Sequence, residues 1–496
     1  MWYKTPSAKV LFAHDPLAID AKAPPRQCTA RSFAMKMNTR SLPSRFITLL
    51  SSAALASSLV TLSSCSGGGS SSATTTTPTA AQTSNAGNFT TTVFLGDSLT
   101  AGYQSGSLLD TAEVHGWAPL VATQANFPIT QALIAYPGAP STLLLQSVGP
   151  PPVITTATGT TTGRTNPSSQ VTDLAVPGAF LNDIANTVPL ASPTTGQEQI
   201  TQLVLGFPGL GLGEAYSQAT FAVKANPATI FLWAGNNDAL VADLDGTPTS
   251  MTSISDFTTQ YTALITELTT KTSAHLVIGN IPDVTLVPYL QPAALILAEY
   301  SVATGYPVAT LSALFGISPG DYVTPEGLDE ISAILAGTQK TPLSDAGVLT
   351  AAEAATVQAN VVAYNKVIST QATAAGATLV DINALFANLA ANGLTINGYT
   401  GTNGFLGGFF GLDGIHPTNT GYAVVANAFI DTMNAAFKSS IADVNIATVA
   451  AADPLWPPNL AATTAASAKK GTGLNALPGS AAKSLKEILS RKKASR

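Results

Sequence analysis

The sequence predicts an α/β fold: a central parallel sheet of about five strands with helices on both sides and one helical insertion. Two observations carry that expectation. Five short apolar runs are each bounded by turn residues, and Ala-rich stretches of helical spacing lie between them. Several of the runs are near-continuous in Val, Ile, Leu and Phe, as strands buried on both faces require.

The predicted strands are Thr91–Leu95, Val171–Val176, Ala228–Trp233, Ala274–Gly279 and Ala377–Ile382. Thr258–Thr270 reads as a helix with Tyr261, Leu264, Ile265 and Leu268 on one face, and Val357–Thr373 reads as another. Residues 138–165 are rich in Pro, Thr and Gly and read as a long loop. Residues 284–356 exceed what a crossover helix needs, and with helical stretches at Ala293–Tyr300 and Leu328–Leu335 they read as a cap or lid. The glycine-rich stretch Ala384–Leu412 reads as a pliable loop on the site's rim.

The ends of the chain differ from this body. Residues 1–34 carry no pattern of their own and read as a mis-assigned upstream segment. Residues 35–64 run from a basic start through a short apolar stretch to small residues, the pattern of a signal peptide. That stretch ends Leu62-Ser63-Ser64-Cys65, which resembles a bacterial lipobox. The resemblance implies lipidation of Cys65, and therefore an exported protein anchored in the bacterial cell envelope, at the outer membrane. The other cysteine, Cys28, lies upstream, so no disulfide is expected in the mature chain. Residues 65–88 are a Gly-, Ser- and Thr-rich tether, residues 89–451 the folded domain, and residues 452–496 a low-complexity basic tail.

Charge is unevenly spread. The whole chain has a formal net charge of −6. Residues 1–64 hold eight basic and two acidic residues, and residues 469–496 hold eight basic and one acidic. Between them, six basic residues face 25 acidic ones. So acidic a body argues against nucleic acid and other polyanions as partners.

The chemistry-bearing residues fall just past the predicted strands. Gly96-Asp97-Ser98-Leu99 follows the first and offers Ser98 as a nucleophile exposed at a tight turn. Asp413-Gly414-Ile415-His416 offers a base with a carboxylate three residues earlier, able to fold back onto the ring. Of the other histidines, His14 lies upstream of the signal, His275 opens a strand, and His115 has only Glu113 nearby. Gly178 follows the second strand, and Asn237 in Gly235-Asn236-Asn237-Asp238 follows the third. With the Ser98 N–H, they offer three donors for an oxyanion. In an open parallel sheet such strand ends gather along one edge, where ligands bind.

These segments resemble the blocks of the SGNH, or GDSL, esterases and lipases, with Ser98, Gly178, Asn237 and His416 as the signature residues over about residues 91–435. Asp173 stands where many members carry Asn. The resemblance implies a flavodoxin-like three-layer fold, hydrolysis of esters or thioesters through an acyl-enzyme, and no metal or cofactor. Ser98, Asp413 and His416 would be catalytic, and Ser98, Gly178 and Asn237 would form the oxyanion hole. The substrate is left open among small-molecule, lipid and acetylated-glycan esters. So are oligomeric state, an acyltransferase on the same fold, and a catalytically silent surface binding protein.

Overall fold

The computed structural model describes residues 87–149 and 152–464. Cys65, the signal segment, the tether and the tail beyond residue 464 lie outside the described residues. Among the described residues no helix is long and apolar enough to cross a membrane.

Four parallel strands form the central sheet, in the spatial order Thr92–Gly96, Thr229–Trp233, His275–Gly279, Thr378–Val380. Every residue of the first two strands is buried, which explains their unbroken apolar character. One face is an aromatic layer: Phe94 stacks on Phe231 with ring centroids 4.6 Å apart, and Trp117 stacks on Phe429 at 3.9 Å. Trp117 and Phe429 come from the Trp117–Gln124 and Asn419–Phe437 helices. The Ile254–Lys271 and Ala351–Ala374 helices pack against each other, with Phe257 stacked on Tyr364 at 3.9 Å. On the former, Tyr261, Leu264, Ile265 and Leu268 are all buried, as their spacing predicts.

The expected fifth strand at Val171–Val176 is instead an extended edge segment with a single parallel bridge, Phe94 to Asp173. It still bonds to the first strand: Phe94 N–H donates to Thr172, Leu174 N–H to Phe94, and Val176 N–H to Gly96. Its outer side does not continue the ladder. There the N–H groups of Thr172 and Asp173 both converge on the Thr130 carbonyl.

Two loop readings are corrected. Residues 138–165 hold an antiparallel pair, Leu143–Ser147 with Val153–Thr156. The expected rim loop holds the Ile382–Asn392 helix and the hairpin Leu394–Ile396 with Tyr399–Gly401. That helix is set by Asp381, whose side chain accepts from Ala384 N–H. Residues 284–356 fold around a small core of their own, including Ile296, Leu297, Leu311, Phe315 and Ile331, beside a three-stranded sheet. The expected domain end at residue 451 is also too early. Asp453 accepts from the N–H and hydroxyl of Thr420, and Trp456 is buried against Tyr399 and Phe409.

Candidate active site

Ser98 sits in the turn directly after the first strand. Gly96 makes that turn possible: a Cβ there would stand 2.5 Å from Thr100 Oγ1 and 2.6 Å from the Trp233 carbonyl. Gln218 clamps the same residue, accepting from its N–H at 2.8 Å and donating to its carbonyl at 2.9 Å. Asp97 shapes the turn by accepting from Leu99 N–H at 3.0 Å. The Ser98 N–H itself donates to no acceptor among the described residues.

His416 meets this serine across 318 positions of sequence. Its Nε2 lies 2.8 Å from Ser98 Oγ, and its Nδ1 lies 2.9 Å from Asp413 Oδ2. The histidine and the aspartate are almost wholly buried. The Asp413 carboxylate also accepts from the N–H groups of Ile415 and His416 at Oδ1 and of Gly106 at Oδ2. Burial alone would raise its pKa. The His416 ring and the backbone N–H groups of His416 and Ile415 outweigh that and hold the carboxyl below its ordinary value. The carboxylate therefore stays charged, fixes the ring by its Nδ1, and leaves Nε2 facing the hydroxyl as a base. Tyr103 flanks the ring, with centroids 4.6 Å apart.

The pocket at this edge is lined by Ser98, His416, Asn236 and Asn237, with Val284, Val287 and Phe386 among its apolar walls. Of the 284–356 insertion, only its first residues, Val284 and Val287, line this pocket; its helices do not. Gly235, in the left-handed region at φ 94°, turns the chain from the second sheet strand into the Asn236–Asp245 helix. A Cβ there would meet Phe257 at 2.8 Å. Asn237 donates one amide hydrogen to the Ala179 carbonyl at 2.8 Å, which leaves the second for a ligand. Gly178, also at positive φ, is buried one residue before Ala179 and is not among the residues lining the pocket. Its N–H, like that of Ser98, meets no acceptor among the described residues.

The structure thus brings Ser98, Asp413, His416 and Asn237 to one edge, with Gly178 next to the Ala179 carbonyl that holds Asn237. Other residues, given no role from sequence, hold them there. Asp97 Oδ2 accepts from Asn236 Nδ2 at 2.9 Å, tying the serine turn to the asparagine helix. Burial raises the Asp97 pKa to about 6, against the pull of Asn236, Leu99 N–H and His416. Asp238 accepts from Leu181 N–H at 2.8 Å and from the Thr252 hydroxyl at 2.5 Å, so it ties the segment after Gly178 to the same helix. His275 has a structural place: its Nε2 meets Thr378 Oγ1 at 2.9 Å and its ring lies edge-on to Phe437. His115 is exposed. Among the described residues no group of His, Cys, Asp and Glu is arranged to hold a metal ion.

A family model described as GDSL-like lipase/acylhydrolase matches residues 92–429. Among solved structures, the chain is similar to LAE5, an alpha/beta hydrolase enzyme from the metagenome of Lake Arreo, Spain. That match has 14% identity, covers 70% of this chain and 95% of the other, and has a TM-score of 0.31. It is also similar to Axe2, an acetylxylan esterase from Geobacillus stearothermophilus, at 11% identity over 70% of this chain and 96% of that one, with a TM-score of 0.32. No curated protein matches it.

Proposed function

The chain belongs to the GDSL-like lipase/acylhydrolase family and is a carboxylic ester hydrolase, and from that premise we propose that it works as a serine esterase through an acyl-enzyme. Ser98 Oγ attacks the ester carbonyl carbon while His416 Nε2 takes the hydroxyl proton. Asp413 holds the ring in the tautomer this needs and stabilises the imidazolium. The oxyanion takes hydrogen bonds from the Ser98 N–H, the free amide hydrogen of Asn237 and the Gly178 N–H. Collapse breaks the bond to the alcohol oxygen, which leaves with the proton held on His416. Water then gives a proton to His416 and attacks the acyl-serine, and the acid departs as the proton returns to Ser98 Oγ.

The observation that carries this reading is the unbroken chain from Ser98 Oγ through His416 to Asp413, with links of 2.8 and 2.9 Å. Covalent labelling by an organophosphorus reagent tests it, since an activated serine hydroxyl reacts with that reagent far faster than an ordinary one. Attachment to the cell envelope through lipidated Cys65 is part of the same proposal and rests on the sequence around that cysteine.

A further inference from the structure

A second pocket adjoins the catalytic one and shares a wall with it. Phe386, on the Ile382–Asn392 helix, lines both. The segment after Pro282 also serves both: Val284 and Val287 face the catalytic pocket, and Leu286 faces its neighbour. His416 closes one side of the catalytic pocket, and the next residue, Pro417, lines the second.

The second pocket has one chemical character. Leu389, Phe409, Phe410 and Val425 line it with Leu286 and Phe386, and no charged side chain lines it. Its one polar side chain, Asn403, donates its amide to the Leu286 carbonyl at 2.9 Å. A sugar ring placed there would give up its hydrogen bonds to water and find almost none in return. A hydrocarbon chain loses nothing polar and gains burial. Phe386 is 8% exposed and meets Phe410 edge-on at 6.0 Å, so an aromatic ring held by packing forms part of the shared wall.

We propose that this slot is the acyl-chain subsite, continuous with the Ser98–His416 pocket past Phe386, and that the preferred substrates are esters of straight aliphatic acids longer than acetic acid. The assignment rests on the serine-esterase reading for which end of the ester lies at Ser98. The carbonyl carbon stands at the hydroxyl, the chain runs over Val284 and Phe386, and its far end lies between Leu389 and Val425.

The test compares p-nitrophenyl acetate, butyrate and octanoate on the full chain, as wild type and as Leu389→Trp, a half-buried position that lines the slot. In the wild type kcat/KM rises by about fourfold for each added methylene that the slot buries. Leu389→Trp fills the slot and lowers the octanoate-to-acetate ratio at least tenfold. Phe386→Ala removes the aromatic part of the shared wall and changes the same ratio. An acetate optimum in the wild type, or an octanoate-to-acetate ratio that Leu389→Trp leaves untouched, overturns the proposal. Calorimetric binding of octanoate to Ser98→Ala protein separates the slot from the chemistry: the account expects binding that Leu389→Trp abolishes. Octanoate that fails to bind overturns the subsite whatever Ser98 does. Octanoate that binds to a protein inert towards every ester leaves the subsite standing and overturns the serine mechanism instead.

Discussion

Asp413 holds His416 at two points, accepting from its backbone N–H at Oδ1 and lying 2.9 Å from its Nδ1 at Oδ2. One carboxylate thus sets both the turn that carries the histidine and the angle of its ring. Replacing it with an amide keeps the shape and puts an N–H donor in reach of Nδ1, where it favours the wrong tautomer. Asp413→Asn is expected to lower kcat by about 10⁴-fold with little change in KM. Steady-state kinetics on a soluble aryl ester checks this, and a kcat within tenfold of wild type would contradict it.

Asp238 acts at one remove from the chemistry. It joins the segment after Gly178 to the helix that carries Asn237, through Leu181 N–H and the Thr252 hydroxyl. Asp238→Ala frees those two segments to drift apart and misplaces the oxyanion donors. The expected loss is up to about a hundredfold in kcat, with a lower Tm. Asp238→Asn, which keeps one carbonyl acceptor, recovers part of both. If kcat is unmoved while Tm falls, the residue serves stability alone.

Buried carboxyls are expected to make the protein lose stability as pH rises. Burial raises Asp97 from 3.8 to about 6, Glu113 from 4.5 to about 7, and Asp243 well above 3.8. Each binds its proton more tightly folded than unfolded. Their contribution is therefore full below the unfolded values, and that of Asp97 and Glu113 is lost as pH rises from about 4 to 7. Asp413 works the other way, and its contribution is lost as pH falls through its depressed pKa. Urea midpoints should thus peak near about pH 4 to 5 and decline towards pH 8. Both Asp243 carboxyl oxygens are buried without a hydrogen-bond partner, so Asp243→Asn should flatten the decline. Midpoints that climb between pH 5 and 8 would refute this.

The site was more legible in the sequence than the scaffold around it. Ser98, Asn237, Asp413 and His416 were readable because each follows a strand or sits beside its partner in the chain. Gly178 read equally well as a turn glycine, and nothing in its neighbours reveals that the next residue, Ala179, holds the Asn237 amide through its carbonyl. Val171–Val176 has the composition of a strand, yet the convergence of Thr172 and Asp173 on Thr130 is a contact across some forty residues that no local pattern carries. The Ile382–Asn392 helix was lost among the glycines that follow it, although Asp381 is a sound N-cap. Trp456 and Asp453 looked like part of a tail because their partners, Thr420, Tyr399 and Phe409, lie far upstream.

Cys65 is open to a direct check. Growth of a bacterial host with radiolabelled palmitate should label the wild-type chain and not a Cys65→Ala variant. Equal labelling of the two, or none in either, would remove the lipid anchor from the account.

The most direct measurement is mass spectrometry of the protein after treatment with a fluorophosphonate, alongside residual ester turnover. The account predicts one adduct per chain, located on Ser98, with activity falling in step with labelling and neither adduct nor turnover in Ser98→Ala. Full turnover in protein that carries no adduct at Ser98, or a folded Ser98→Ala variant that still cleaves esters, would contradict it.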